Sequence, residues 1–148
     1  MVASRNGRAQ LVTYAVPVGL RCLIVDDNPG FLEAARALLE QEGLQVVGVA
    51  SNGAEAVQQA TDLQPDVTLL DIDLGAESGF DVARMLVDDP SARPGQLILV
   101  SAYAEEEFLE LIEASPVIGF VRKPALSAQA IGTLLHAAGN GDDRRGGA

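Results

Sequence analysis

Cations are scarce in this chain. Of its 148 residues, ten are Lys or Arg against 21 Asp or Glu, a formal charge of −11. Nucleic acids are bound through Lys/Arg contacts to phosphate, so this balance argues against direct DNA binding, and the same deficit argues against an anionic membrane surface. Cysteine is nearly absent. Cys22 stands alone, so no internal disulfide can form, which fits a reducing compartment, and its place in an apolar run suits a small buried hydrophobe. Long apolar runs are missing too: nothing approaches the roughly 20 residues of a membrane-spanning helix. Arg5 and Arg8 followed by the apolar stretch 11–20 loosely mimic a secretory leader. Pro17 and Gly19 interrupt that stretch, no Ala-x-Ala site follows, and Arg21 stands where a lipoprotein site needs a small residue. The expectation is a cytoplasmic protein without a membrane anchor.

What is present is a composition for one globular domain, 48% hydrophobic and 21% charged. Residues 1–18 lack pattern and read as a flexible N-terminal extension; 19–138 form the domain; the Gly-, Asp- and Arg-rich 139–148 read as a disordered tail. Within the domain, apolar runs alternate with helical patterns. Strands are expected at 20–25, 44–50, 67–71, 97–101 and 117–121. The first helix follows Asn28-Pro29, a cap and a first-turn proline, and its stripe is Phe31, Ala34, Ala35, Leu38 and Leu39. Asn52-Gly53-Ala54-Glu55 resembles a capping box for the second helix. Gly79-Phe80 open the third, Glu105-Glu106-Glu107 the fourth, and Ser127 caps a fifth. Five strands alternating with five helices imply an α/β fold with a parallel sheet and right-handed crossovers.

The chemistry sits at strand ends. The run Val67-Thr68-Leu69-Leu70 ends in Asp71, at the carboxyl edge where open α/β sheets bind ligands. Asp26 and Asp27 end the first strand, Ser101 the fourth, and Lys123, the one lysine of the chain, follows the fifth. Carboxylates about 4 Å apart repel by roughly 4 kcal/mol per pair at an effective dielectric near 20. Such a cluster wants a cation, and hard oxygens beside an exposed strand end suit Mg²⁺, which often accompanies phosphate. A lone hydroxyl and a lone ammonium facing the same point could hold phosphoryl oxygens.

With Asp26-Asp27, Asp71 followed eight residues on by Gly79, Ser101-Ala102 and Lys123-Pro124 in this order, the sequence resembles the receiver domain of bacterial two-component response regulators over about residues 20–138. The resemblance implies a doubly wound, flavodoxin-like (βα)5 sheet of strand order 2-1-3-4-5, and transfer of a phosphoryl group from a histidine kinase to Asp71. It implies Asp71 as nucleophile, with Asp27, Asp71 and the backbone carbonyl of Asp73 holding Mg²⁺ and Asp26 acting through water. Ser101 and Lys123 would grip the phosphoryl oxygens. Phe120 matches the aromatic switch position, turning inward as Ser101 moves toward the phosphate, which changes a protein-binding face made of helix four, strand five and helix five. Asp73 and Tyr103 occupy positions that tune phosphoryl lifetime. Gly75 stands where the family usually has proline, which implies a looser loop after Asp71.

Two rival families share part of this pattern. A haloacid-dehalogenase-type phosphatase shares Asp71-Ile72-Asp73, but it needs an acid pair after its lysine at a strand end, and only Asp142-Asp143 in the tail is available. A flavin binder of the same topology would have its phosphate repelled by Asp26-Asp27. Since no helix-turn-helix pattern follows Ala138, the expectation is a stand-alone, non-enzymatic response regulator with an unknown protein target, or alternatively a phosphorelay intermediate.

Helix four carries Glu105, Glu106, Glu107, Glu110 and Glu113, and helix five to Ala138 has His136 as its sole candidate cation. Like charges across a two-fold interface oppose association. The beryllofluoride-bound protein should therefore remain monomeric by light scattering, and binding of a basic partner should weaken with salt at Debye lengths near 8 Å; a tight, salt-insensitive dimer would contradict this.

Overall fold

The computed structural model describes residues 14–146, with side chains described through residue 139. Five strands form one parallel sheet: β1 (Arg21–Val25), β2 (Gln45–Ala50), β3 (Val67–Asp71), β4 (Gln96–Ser101) and β5 (Gly119–Arg122). Their order is β2-β1-β3-β4-β5 and every neighbouring pair is parallel, the doubly wound order expected from the sequence. Four helices cross over between them, α1 (Pro29–Gln41), α2 (Gly53–Leu63), α3 (Gly79–Asp88) and α4 (Leu109–Ala114), and α5 (Ala128–Gly146) follows the last strand.

Strand periodicity of two divides the core between the faces of the sheet. Cys22, Ile24, Val46, Val67, Leu69, Ile98, Val100 and Val121 point to one face and pack with Ala35 and Leu39 of α1 and Ile131 of α5. Leu23, Val25, Leu70, Leu97 and Leu99 point to the other, against Ala56 and Ala60 of α2 and Val82, Ala83 and Leu86 of α3. β3, at the centre, is buried at all five positions. Each large aliphatic side chain so buried contributes about 1.5–3 kcal/mol relative to exposure. Cys22 is fully buried, and burial pushes its thiol up to about 12, so it is an inert core residue.

The caps follow the sequence. Asn28 accepts the Phe31 N–H (3.2 Å), Asn52 that of Glu55 (2.9 Å), Ser78 that of Phe80 (3.1 Å) and Ser127 that of Ala130 (3.0 Å). Glu55 reaches back to the Ser51 N–H (2.8 Å), one residue before the cap itself. Gly43, at φ +102, ends α1 in the left-handed conformation that glycine takes without strain.

Several elements differ from expectation. Glu105–Phe108 form a 3-10 turn, and α4 is confined to Leu109–Ala114. Like charges three and four residues apart, Glu107–Glu110 and Glu106–Glu110, oppose extending the helix back through 105–108, and residues 105–114 contain no Lys or Arg. Helix α1 buries Ala35 and Leu39 while Ala34 faces solvent and Leu32 turns partly inward, because the stripe drifts over three turns. β5 starts at Gly119 rather than 117, and a Cβ there would meet the Leu134 side chain of α5 at 2.5 Å. Helix α5 continues to Gly146, so the tail expected from 139 is helical backbone through that residue; once nucleated, a helix adds residues at small cost even through single glycines. Of the expected N-terminal extension, residues 1–13 lie outside the described residues. Val16 packs on the core, and the Tyr14 ring stacks on His136 (3.8 Å). Gly75 lies in the turn of the loop after Asp71. It takes φ +74, which proline cannot, in the turn of a two-residue hairpin that pairs Asp73 with Ser78 and Leu74 with Glu77.

Gly79 sits against the end of β3. Its N–H donates to the Ile72 carbonyl (2.6 Å), and a Cβ there would collide with the Asp71 carbonyl. Gly79→Ala should therefore destabilise by about 1–3 kcal/mol, read as a lower urea midpoint at unchanged slope; an unchanged midpoint would show that this strand end yields freely.

Candidate functional site

Each polar residue singled out in the sequence lies where a strand leaves the sheet at its carboxyl edge. In β3–β4 pairing Asp71 stands opposite Val100, and in β4–β5 pairing Ser101 stands opposite Arg122. Ser101 and Lys123 thus emerge side by side on the edge that carries Asp71. Asp26 follows Val25, whose partner in β3 is Leu70. Parallel pairing alone brings five residues scattered over 98 positions of sequence to one edge.

One carboxylate oxygen each from Asp26, Asp27 and Asp71 lies within 4.8 Å of the others. Asp26 and Asp71 are buried, with 1% and 6% exposure, while Asp27 faces solvent. The Lys123 ammonium lies between the two buried acids, 2.8 Å from Asp26 Oδ2 and 3.4 Å from Asp71 Oδ2. Asp26 Oδ1 accepts the Asn28 N–H (2.8 Å), and Asp71 Oδ1 accepts the Asp73 N–H (3.2 Å). Asp26 Oδ2 is buried and has no hydrogen-bond partner beyond its ion pair. Two buried carboxylates and an exposed third against a single ammonium are a donor set that fits a divalent cation with oxygen ligands.

The electrostatics agree. Burial first, and the charge of Asp26 second, push the Asp71 carboxyl up to about 6, against the Asp73 N–H and Lys123, which pull it down. For Lys123 burial pulls the ammonium down, but Asp26 and Asp71 outweigh it and the net direction is upward. Lys123 therefore stays charged at neutral pH.

The remaining residues are placed as follows. Ser101 is buried, and its Oγ accepts the Tyr103 N–H (2.9 Å). The Tyr103 ring is half exposed and meets Phe108 edge-on at 6.3 Å; Phe108 in turn lies 6.2 Å from Phe80 at the start of α3. Phe120, half buried, lines an open cleft of about 540 Å³ with Glu105, Glu106, Arg122 and Leu134. Asp73 is exposed, and its carboxylate accepts the Gly75 N–H (3.1 Å) rather than joining the acids. Asp142 and Asp143 belong to helix α5, not to a strand end, which removes the acid pair a haloacid-dehalogenase-type site would need. One neighbour escaped the sequence reading. The Phe31 ring, counted there only as core stripe, lies under the ammonium, with Lys123 Nζ 4.3 Å from its centroid. Its position one turn into the helix that follows Asp26-Asp27 was the available signal.

Comparison with known proteins agrees with this geometry. Residues 22–135 match the family model described as response regulator receiver domain. The chain is 33% identical over 107 residues to a protein-glutamate methylesterase/protein-glutamine glutaminase of Archaeoglobus fulgidus, covering 71% of this chain and 30% of that protein. It thus spans about a third of the length of the curated relatives it matches. Among solved structures, the signal receiver domain of the putative response regulator NarL from Mycobacterium tuberculosis superposes with a TM-score of 0.69 at 28% identity, over 82% of this chain and 98% of that one. The response regulator domain of Thermotoga maritima CheB gives 0.63 at 26% identity, over 81% and 92%.

An acid whose folded pKa lies above its unfolded value holds its proton more tightly when folded. Its contribution to stability is then present at low pH and is lost as pH rises from near 3.8 toward about 6. Asp71→Asn should remove that loss, gaining about 1–2 kcal/mol at pH 7 in metal-free buffer and little at pH 4. Thermal unfolding with EDTA across this pH range checks it; equal effects at both pH values would contradict the cause assigned to the shift.

Proposed function

The chain belongs to the response regulator receiver domain family, and from that premise we propose that it accepts a phosphoryl group from a histidine kinase on Asp71 and signals through the change this produces. The observation that carries the proposal is the Lys123 ammonium set between the buried Asp26 and Asp71, with an exposed Asp27 completing a three-acid cluster.

In the proposed reaction an Asp71 carboxylate oxygen attacks the phosphorus of a phosphohistidine. A P–O bond forms, the P–N bond breaks, and the electron pair leaves with the imidazole nitrogen, giving an acylphosphate. Asp26, Asp27, Asp71 and the Asp73 carbonyl would hold Mg²⁺. When bound, the ion neutralises the charge that develops on the phosphoryl oxygens. Binding the ion also favours the ionised, nucleophilic form of Asp71, which burial otherwise disfavours. Lys123, released from the acids, is within reach of a phosphoryl oxygen. Ser101 would exchange its contact with the Tyr103 N–H for one to the phosphate. Phe120 could then move into the vacated space from its place on the cleft beside Glu105 and Arg122. That cleft, between the acidic turn, β5 and α5, is the proposed protein-binding face.

The domain is a signalling module, and its proposed catalysis is confined to its own phosphorylation and dephosphorylation. Among the described residues no helix is long and apolar enough to cross a membrane.

With acetyl phosphate and Mg²⁺, intact-mass analysis should show a single phosphoryl adduct, lost in Asp71→Asn and in excess EDTA. Lys123→Ala should slow its formation at least tenfold. Ser101→Ala should disturb the coupling of phosphorylation to conformation more than phosphorylation itself. Undiminished labelling of Asp71→Asn would overturn the assignment.

A further inference from the structure

The Lys123 ammonium faces three groups: Asp26 Oδ2 at 2.8 Å, Asp71 Oδ2 at 3.4 Å and the Phe31 ring at 4.3 Å to its centroid. The first two belong to carboxylates of the acid cluster, for which a divalent cation would compete with the ammonium. A bound cation therefore weakens both ion pairs at the moment the ammonium is needed for the phosphoryl group. The ring is a different kind of partner. Its face attracts an ammonium through the quadrupole, supplies no oxygen to compete for the metal, and places no negative charge against an incoming phosphoryl group.

The fold keeps this ring in place. Phe31 lies in the first turn of α1, directly after the Asp26-Asp27 pair. Its N–H is held by Asn28 Oδ1 (3.2 Å), and the Asn28 N–H is held by Asp26 Oδ1 (2.8 Å). One chain of hydrogen bonds thus ties the backbone of the ring to the carboxylate at the centre of the site. The side chain is partly buried against the core beneath α1. At 20% exposure the Lys123 side chain is partly desolvated, the setting in which a cation–π contact is strongest.

We infer that Phe31 is a positioning residue for phosphoryl transfer: its ring face keeps the Lys123 ammonium in the site when a metal ion draws the carboxylates away. This rests on the proposed role of Asp71 as phosphoacceptor. The property required of residue 31 is an aromatic face, not mere bulk, so leucine or methionine should fail where tyrosine succeeds.

The chain's only lysine makes the test direct. Lysine labelled with ¹³C at Cε gives one resonance, that of Lys123. In Mg²⁺ buffer its ε-methylene protons should be shifted upfield by the ring current in the parent and in Phe31→Tyr, and should return toward free-lysine values in Phe31→Leu and Phe31→Met. In the same samples the rate of phosphorylation by acetyl phosphate should fall about three- to tenfold in the Leu and Met variants and stay within twofold of the parent in Phe31→Tyr. Thermal unfolding identifies any variant that is not folded, and the remaining pair still decides. A free-lysine shift in the parent overturns the inference, as does a normal rate in a folded Leu or Met variant, or a Tyr variant as slow as Leu. If the upfield shift is present but the parent takes up no phosphoryl group, the receiver reading of Asp71 fails, and the positioning role falls with it.

Discussion

One ammonium between two buried carboxylates sets the terms for the rest of the site. Without Lys123, Asp26 and Asp71 would face each other across a buried edge, each desolvated and each repelling the other. Removing one partner of a buried pair costs far more than an exposed pair contributes, since it leaves an uncompensated charge. The ammonium does not neutralise the cluster. Two buried acids and an exposed third share a single cation, and burial, followed by the charge of Asp26, raises the Asp71 carboxyl. With three carboxylates to one ammonium the site is two positive charges short, a deficit that a divalent cation would fill.

The fold delivers the deficit through strand register. Parallel pairing places the ends of β1, β3, β4 and β5 on a common edge, and burial of β3 on both faces leaves Asp71 no route to solvent except along that edge. Backbone contacts then hold the neighbouring turns. Gly79 is packed against the Asp71 carbonyl, and Gly75 turns the hairpin in which the Asp73 carboxylate is occupied with its own turn. The edge is therefore closely packed on its acid side. On the other side Ser101 makes a single hydroxyl contact to the Tyr103 N–H, and the following segment is a 3-10 turn and a short helix rather than a long one. The proposed switching involves this side of the edge, where the glutamates repel one another.

Legibility in the sequence followed the range of each interaction. Buried strands were readable as apolar runs, helix starts as Asn28-Pro29, Asn52 and Ser127, and the parallel sheet from the alternation of elements, while the strand order came from the family resemblance. The site residues were readable because each sits at a strand end and because Lys123 has no other lysine to be confused with. One reading went astray for a physical reason: the acids 105–107 favour a helix start when taken alone, yet with Glu110 and Glu113 they repel along the same face.

By itself the amino-acid order determined the five strands, their apolar faces, the caps, and which side chains terminate the strands, because these depend on periodicity and on contacts within a few residues. Only the tertiary structure decided that the Lys123 ammonium lies nearer Asp26 than Asp71, that Asp73 turns away from the acids, and that Phe31 lies under the ammonium. Those facts are distances between segments up to 97 residues apart. They are set by how the helices settle on the sheet, and no local pattern encodes where two such surfaces come to rest.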